Sequence, residues 1–272
     1  MQPSPQQPII TLTTDFGTTD HYVGTMKGVI LHHCPQAQIV DITHEVPPFS
    51  TYTGAYAIEQ AAPYFPEGTA HIVVVDPGVG TARKPLVVLA RNQFFIAPDN
   101  GVLSLVTGNG TDFKAFEIAR PDLLHSEMSN TFHGRDLFAP TAAALASKRF
   151  QPQDVGPELD GIIQIGEMWP KRIRPDWWRG KLLSIDRFGN IITNFKAADF
   201  VGIGRQPFRL EIGSRMISRY YQTFGEALDG QPFVYAGSSN YLEVGMNRES
   251  AARELRDPWG TALRLRIAPT TD

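Results

Sequence analysis

Asp76 closes the apolar run His71-Ile72-Val73-Val74-Val75 and opens Asp76-Pro77-Gly78-Val79-Gly80, with Arg83 following and His133 further on in Thr131-Phe132-His133-Gly134-Arg135-Asp136. An aspartate, an arginine and a histidine brought together can hold and polarise a water. The carboxylate takes the proton, the guanidinium orients it and offsets charge, and the imidazole positions the oxygen. Each has a plainer use: a histidine before a helix is commonly structural, and Asp136 suits a helix N-terminus. A second aspartate has the same setting, because Ile9 to Thr13 runs into Thr14-Asp15-Phe16-Gly17. Ligands in open α/β sheets bind beyond the carboxyl ends of strands. Pro77, Gly78 and Gly80 shape a turn that bulkier residues resist. Two strand-end aspartates imply one crevice.

Further polar candidates flank these. Asp15 and Asp20 bracket Gly17-Thr18-Thr19; they either cap the first helix or, for Asp15, accept hydrogen bonds from a ribose diol. Phe49, after Pro47-Pro48, serves the core or covers a sugar or adenine face. In Ser184-Ile185-Asp186-Arg187-Phe188-Gly189-Asn190, Asp186 suits an ammonium group and Asn190 an adenine edge, since an amide both donates and accepts. The alternative is a hairpin in which Asp and Asn satisfy the turn backbone. Gly237 to Leu242 and Val244 to Arg248 offer small polar contacts or are ordinary strand ends.

The elements that must position these groups follow from periodicity. Strands are expected at 9–13, 37–42, 70–76, 85–91 and 93–97, and helices at 21–33, 51–62, 100–106 and 136–148. This alternation predicts an N-terminal α/β domain, sandwich-like, with a mainly parallel sheet. Short strands at 181–186, 191–194, 207–212, 232–236, 241–245 and 262–267 predict a smaller C-terminal all-β, barrel-like domain. The expected limits are a disordered tail at 1–8, an N-terminal domain at 9–175 and a C-terminal domain at 176–272, the boundary good to about ten residues. With 272 residues and a net charge of −3, the chain can bury a sizeable core and carries no excess of positive charge to track a phosphate backbone. Nucleic acid is not an expected partner. No apolar stretch approaches the roughly 18 residues of a membrane span, and Cys34 is the single cysteine, so no internal disulfide or multi-cysteine zinc site forms. A cytoplasmic protein is expected.

Several familiar motifs fail. Gly78-Val79-Gly80 lacks the third glycine of a dinucleotide fingerprint, and neither a Walker A sequence nor His-Glu-x-x-His occurs. Asp15-Phe16-Gly17 precedes His133-Gly134-Arg135-Asp136, the wrong order for a kinase. What the ordered set resembles is the S-adenosyl-L-methionine (SAM) hydroxide adenosyltransferase family, adenosine-forming SAM hydrolases related to fluorinases and chlorinases. The resemblance rests on Thr14 to Gly17, Val75 to Gly80 with Arg83, Phe132 to Asp136, Asp186 with Phe188-Gly189-Asn190, and Ser238 to Asn247. It runs from about Ile9 to about Arg266.

That resemblance implies hydrolysis of SAM to adenosine and L-methionine. It also implies a homotrimer whose sites lie between the N-terminal domain of one subunit and the C-terminal domain of the next, with no cofactor and no metal. By position it assigns Asp76, Arg83 and His133 to water activation, Asp15 to the ribose, and Phe49 to the ribose face. It assigns Asp20, Asp186 and Ser238 to the methionine moiety, and Asn190, Phe224 and the Arg248 backbone to adenine. Against the halogenating branch, Asp76 replaces an aromatic residue, Val79 a threonine, Gly134 a serine and Ser239 an arginine. The first three disfavour a halide site, and the fourth leaves the methionine carboxylate without its partner there. Three rival readings are a halide adenosyltransferase, a metal-dependent hydrolase using Asp15, His44, Asp76 and His133, and a SAM or adenosine sensor without turnover.

Overall fold

The computed structural model describes residues 7–110, 112–120, 128–256 and 258–268. It divides into two compact units, ending and beginning at Ile165 and Gly166. In the first unit β1 (Ile9–Thr14), α1 (Tyr22–His33), β2 (Gln38–Thr43), α2 (Thr51–Ala61) and β3 (Ala70–Val74) alternate. They are followed by β4 (Pro85–Ala90), β5 (Gln93–Pro98), α3 (Ser104–Thr107), β6 (Lys114–Glu117), α4 (Ala139–Ala146) and β7 (Glu158–Leu159). One seven-stranded sheet results, ordered β2-β1-β3-β5-β4-β6-β7. The part that carries the site is parallel, since β1 pairs in parallel with both β2 and β3, and β3 with β5. Crossovers through α1 and α2 enforce that direction for β1, β2 and β3. Arg91 and Asn92, at φ 54° and 56°, instead turn β4 back on β5 as a two-residue hairpin, so the sheet continues antiparallel through β6 and β7.

The strands read as unbroken apolar runs because both faces are covered. Ile10, Leu12, Ile72 and Val74 pack with Met26 and Ile30 of α1 and Ala139, Ala142 and Ala143 of α4. Val73, Val75, Val88 and Phe95 face the other way, with Ile58 of α2 and Val102. His71 is fully buried, hydrogen-bonded through Nδ1 to Thr11 Oγ1 at 2.7 Å and stacked on Phe95. No helix among the described residues is long and apolar enough to cross a membrane.

The second unit comprises β8 (Lys171–Arg174), β9 (Trp177–Gly180), β10 (Leu182–Ile185), β11 (Ile191–Lys196), β12 (Phe208–Ile212), β13 (Arg215–Ile217), β14 (Phe233–Ala236), β15 (Tyr241–Gly245), α5 (Ala251–Glu254) and β16 (Leu263–Ile267). Its two antiparallel sheets are ordered β10-β11-β15-β14 and β13-β12-β16-β9-β8. One core takes residues from both, including Leu182, Ile191, Phe195, Leu210, Val244 and Leu265. Position 175 therefore falls inside the β8–β9 hairpin, and the division between units lies earlier, at Ile165. Of the expected tail, residues 1–6 lie outside the described residues. Gln7 and Pro8 are already tied down: Gln7 Nε2 donates to Gln36 O at 2.9 Å, and Gln38 N to Pro8 O at 2.8 Å.

Candidate active site

Register explains why Asp15 and Asp76 meet. Thr14 pairs with Val74 across parallel β1 and β3, so Asp15, one residue beyond, and Asp76, two beyond, both emerge at the carboxyl edge. Both aspartates line one cavity of about 470 Å³, together with Phe16, Tyr22, Pro48, Phe49, Val79, Phe132 and His133. The crevice expected from two strand-end aspartates is present.

The turn after Asp76 folds Arg83 back over it. Val79 N donates to Asp76 O, and Thr81 N and Oγ1 both donate to Gly78 O. Gly80, at φ 77°, passes so close to Asn130 that a Cβ would stand 2.6 Å from its carbonyl oxygen, a position only glycine tolerates. Arg83 Nε then donates to Asp76 Oδ1 at 3.1 Å and Oδ2 at 2.9 Å, and Nη2 also contacts Oδ2. Both side chains are nearly buried, at 7% and 4% exposure, so this pair is poorly screened by solvent.

His133 arrives from a different element. The chain before α4 makes a single π-helical turn, Gly134–Phe138, of a kind concentrated at functional sites, and His133 is its N-cap residue. Its Nδ1 lies 2.6 Å from Arg83 Nη2. A guanidinium only donates, so Nδ1 must accept and the ring proton sits on Nε2. Burial lowers the imidazole pKa below its usual 6.5, and the Arg83 cation adds to this, so His133 stays neutral. Asp136 does not reach into the cavity lining; its buried carboxylate accepts from Ser129 N at 2.7 Å and from Arg135, pinning the preceding loop.

Asp15 is half-buried, and burial raises its carboxyl pKa; the Phe49 amide works against this and the charge of Asp76 adds to it. Phe49 N donates to Asp15 Oδ2 at 2.8 Å. Phe49 holds φ at 68° and is 70% exposed. A bulky residue in this left-handed region costs about 1–3 kcal/mol and marks functional sites. Its ring is not core. Neither Asp15 nor Asp20 caps α1: the N-cap is His21, without a side-chain cap bond. Asp20 is exposed and does not line the cavity. His44 is withdrawn too, hydrogen-bonded through Nδ1 to Thr14 Oγ1 at 2.8 Å, with Nε2 lying 3.1 Å from Asp41 Oδ1. Among the described residues no group of three or more His, Cys, Asp and Glu is arranged to hold a metal.

The second unit carries its own cavity of about 670 Å³, lined by Asn190, Phe224 and Arg248 together with Phe188, Met246 and Asn247. The three residues assigned to adenine by resemblance are thus assembled in one place. Arg248, at φ 59°, sits in the tight turn between Met246 and Glu249, which exposes backbone groups. Asp186, expected as an ammonium partner, is engaged within its own turn. It accepts from Phe188 N at 2.9 Å, Asn190 N at 2.8 Å and Asn190 Nδ2 at 2.7 Å, so it holds the turn and orients the Asn190 amide. Ser238 is exposed in the β14–β15 turn and does not line this cavity. Ser239 Oγ donates to the buried Glu243 at 2.9 Å, and Tyr235 hydroxyl donates to the same carboxylate. Tyr22 and Pro48 in the first cavity, and Ser250 and Arg253 in the second, carried no sequence signal beyond their places in or beside predicted elements.

Residues 10–156 match the SAM hydroxide adenosyltransferase N-terminal domain, and residues 180–264 its C-terminal domain. The chain is 37% identical over 261 residues to the (R)-S-adenosyl-L-methionine hydrolase of Thermus thermophilus, covering 93% of this chain and 97% of that one. It is 36% identical to the enzyme of the same name from Salinispora arenicola, covering 95% and 97%. A fluorinase of Actinoplanes sp. is more distant, at 30% over 90% and 93%. The crystal structure of an uncharacterized conserved protein from Thermotoga maritima superposes with a TM-score of 0.85 at 34% identity, over 94% of this chain and 99% of that one. The chain belongs to the SAM hydroxide adenosyltransferase family.

Proposed function

We propose that this protein hydrolyses SAM to adenosine and L-methionine by in-line attack of water at C5′. The observation that carries the reading is the Asp76–Arg83–His133 cluster beside Asp15 at one cavity. Water oxygen forms the bond to C5′ as the C5′–S bond breaks, and its electron pair stays on sulfur as the neutral thioether of methionine. The lost proton passes to Asp76 and then to solvent. A sulfonium is already a good leaving group, so the protein supplies alignment and a proton acceptor, and orientation contributes about 7–11 kcal/mol in favourable cases. His133, with its proton on Nε2, donates to the water and holds it. Arg83 fixes that tautomer and balances developing hydroxide. No metal or cofactor enters this scheme.

Asp15 takes the ribose diol through the carboxylate oxygen that Phe49 N leaves unused. Asn190, Phe224 and the Arg248 backbone take adenine. The two residue sets lie in different units, and a homotrimer pairing the first unit of one subunit with the second unit of the next is part of this reading, as is a cytoplasmic setting. Halide is a poor nucleophile here, because like charges at about 4 Å in an effective dielectric near 20 repel by about 4 kcal/mol before Arg83 offsets part of it.

Incubation with SAM in ¹⁸O-labelled water is the test. Label in the adenosine 5′-hydroxyl and none in methionine is expected. Methylthioadenosine, a 5′-halogenated nucleoside in the presence of halide, or activity abolished by chelators would each overturn the scheme.

A further inference from the structure

The first unit's cavity has an unusual charge balance. Two carboxylates, Asp15 and Asp76, line it, and among the described residues no lysine or arginine does. Arg83 stands behind Asp76, committed to it and to His133, and His133 is held neutral by accepting from Arg83. Three of the aromatic rings that line this cavity touch one another. Tyr22 and Phe132 stand 5.1 Å apart in an edge-to-face pair, while Phe16 lies 5.9 Å from Tyr22 and 6.2 Å from Phe132. Phe132 is buried and carries the Arg135 guanidinium at 5.2 Å from its centroid. Tyr22, at the start of α1, keeps 40% of its surface exposed.

Ring faces are negative, so a wall of rings beside two carboxylates attracts a desolvated cation and offers a neutral group of the same shape only dispersion. We infer that Tyr22, supported by Phe16 and Phe132, is a specificity residue that selects the sulfonium cation over the neutral thioether. This deepens the SAM hydrolase reading and rests on it. The preference is a ground-state one. As the C5′–S bond breaks, sulfur loses its charge, so the ring's attraction fades towards the transition state and contributes to binding rather than to rate. It also lets go of the neutral products.

The test compares SAM with its neutral thioether counterpart, S-adenosyl-L-homocysteine, on the intact enzyme carrying Tyr22→Leu, Tyr22→Phe and Tyr22→pentafluorophenylalanine. The last keeps ring shape and reverses the quadrupole, so it separates electrostatics from packing and stays informative should the leucine variant fold poorly. KM for SAM should rise about 2- to 30-fold with leucine and with the fluorinated ring, and stay near wild type with phenylalanine. The inhibition constant of the thioether should change less than twofold in all three, and kcat should hold or rise. Parallel weakening of both ligands, an unchanged KM in the fluorinated variant, or a loss confined to kcat would overturn the assignment. Wild-type enzyme that neither binds nor turns over SAM would instead refute the hydrolase reading, and the inference with it.

Discussion

Arg83 Nη2 donates to His133 Nδ1 at 2.6 Å while Nε of the same guanidinium holds both carboxylate oxygens of Asp76. One arginine therefore sets the orientation of two groups from different elements. Since it cannot give up its proton, it leaves the imidazole with a donor at Nε2 and Asp76 as the acceptor in reach. In the proposed reaction the roles divide accordingly: His133 positions water, Asp76 receives its proton, and Arg83 keeps both in place.

Asp76→Asn, Arg83→Ala and His133→Ala should each lower kcat by about 10²- to 10⁴-fold, the usual range for proton-transfer groups. KM for SAM should move much less than kcat, since none of the three is assigned to the nucleoside or the amino acid; it should rise most in Asp76→Asn, which removes one of the two carboxylates beside the sulfonium. Groups that act as a unit are not additive. Arg83→Ala combined with His133→Ala should therefore cost scarcely more than the worse single change. Near-wild-type turnover in all three single variants, or full additivity in the double one, would contradict the shared role.

His71 makes a prediction about stability. Burial holds its pKa at about 4 in the folded protein against 6.5 in the unfolded chain. Between these values the unfolded state binds the extra proton, so stability is full above pH 6.5 and falls as pH drops towards 4. The limiting slope from this group is about 1.4 kcal/mol per pH unit, or about 3 kcal/mol across the window. Urea unfolding at pH 7.0, 6.0 and 5.0 should show a shallower pH dependence for His71→Phe than for wild type, whatever the cost of losing the Thr11 hydrogen bond. Identical slopes would mean that His71 is not buried neutral.

How much of this was legible in the chain differs by element. β1 and β3 announce themselves because strands buried on both faces are continuous apolar runs, and their terminal aspartates stand out where the run stops. The order of motifs then fixed the family. β8 and β9 were not legible: Lys171-Arg172-Ile173-Arg174 and Trp177-Trp178-Arg179-Gly180 are short and alternate with exposed cations, so they lack an apolar run. The role of Asp186 was legible only as an alternative, since an aspartate four residues before an asparagine fits a turn as well as a ligand. Tyr22 was hidden for another reason. At the start of an amphipathic helix an aromatic residue reads as core, and only the fold brings Phe132 beside it.

Asp186 closes its turn with three hydrogen bonds, so Asp186→Ala should act through structure. It leaves Phe188 N, Asn190 N and the Asn190 amide without their acceptor. A loss of about 1–3 kcal/mol in unfolding free energy is expected. Inhibition by adenosine should weaken with it, because Asn190 is no longer oriented, while inhibition by methionine should not weaken more than that by adenosine. Unchanged stability with a selective loss of methionine affinity would return Asp186 to the role of ammonium partner.

The last prediction concerns assembly. The residues assigned to water activation belong to the first unit, and those assigned to adenine to the second. If a site is completed by two subunits, Asp76→Asn and Asn190→Ala each damage every site of their own homotrimer, but from opposite sides. In a mixed trimer some interfaces join a first unit with intact Asp76 to a second unit with intact Asn190. Those sites are wild type. Two inactive preparations, mixed under conditions in which tagged subunits exchange, should therefore regain part of the wild-type turnover. A double variant carrying both changes in one chain, mixed with wild type, gives the control, because it dilutes sites without rescuing any. If exchange is demonstrated and no activity returns, each site is built within one chain and the intersubunit reading fails.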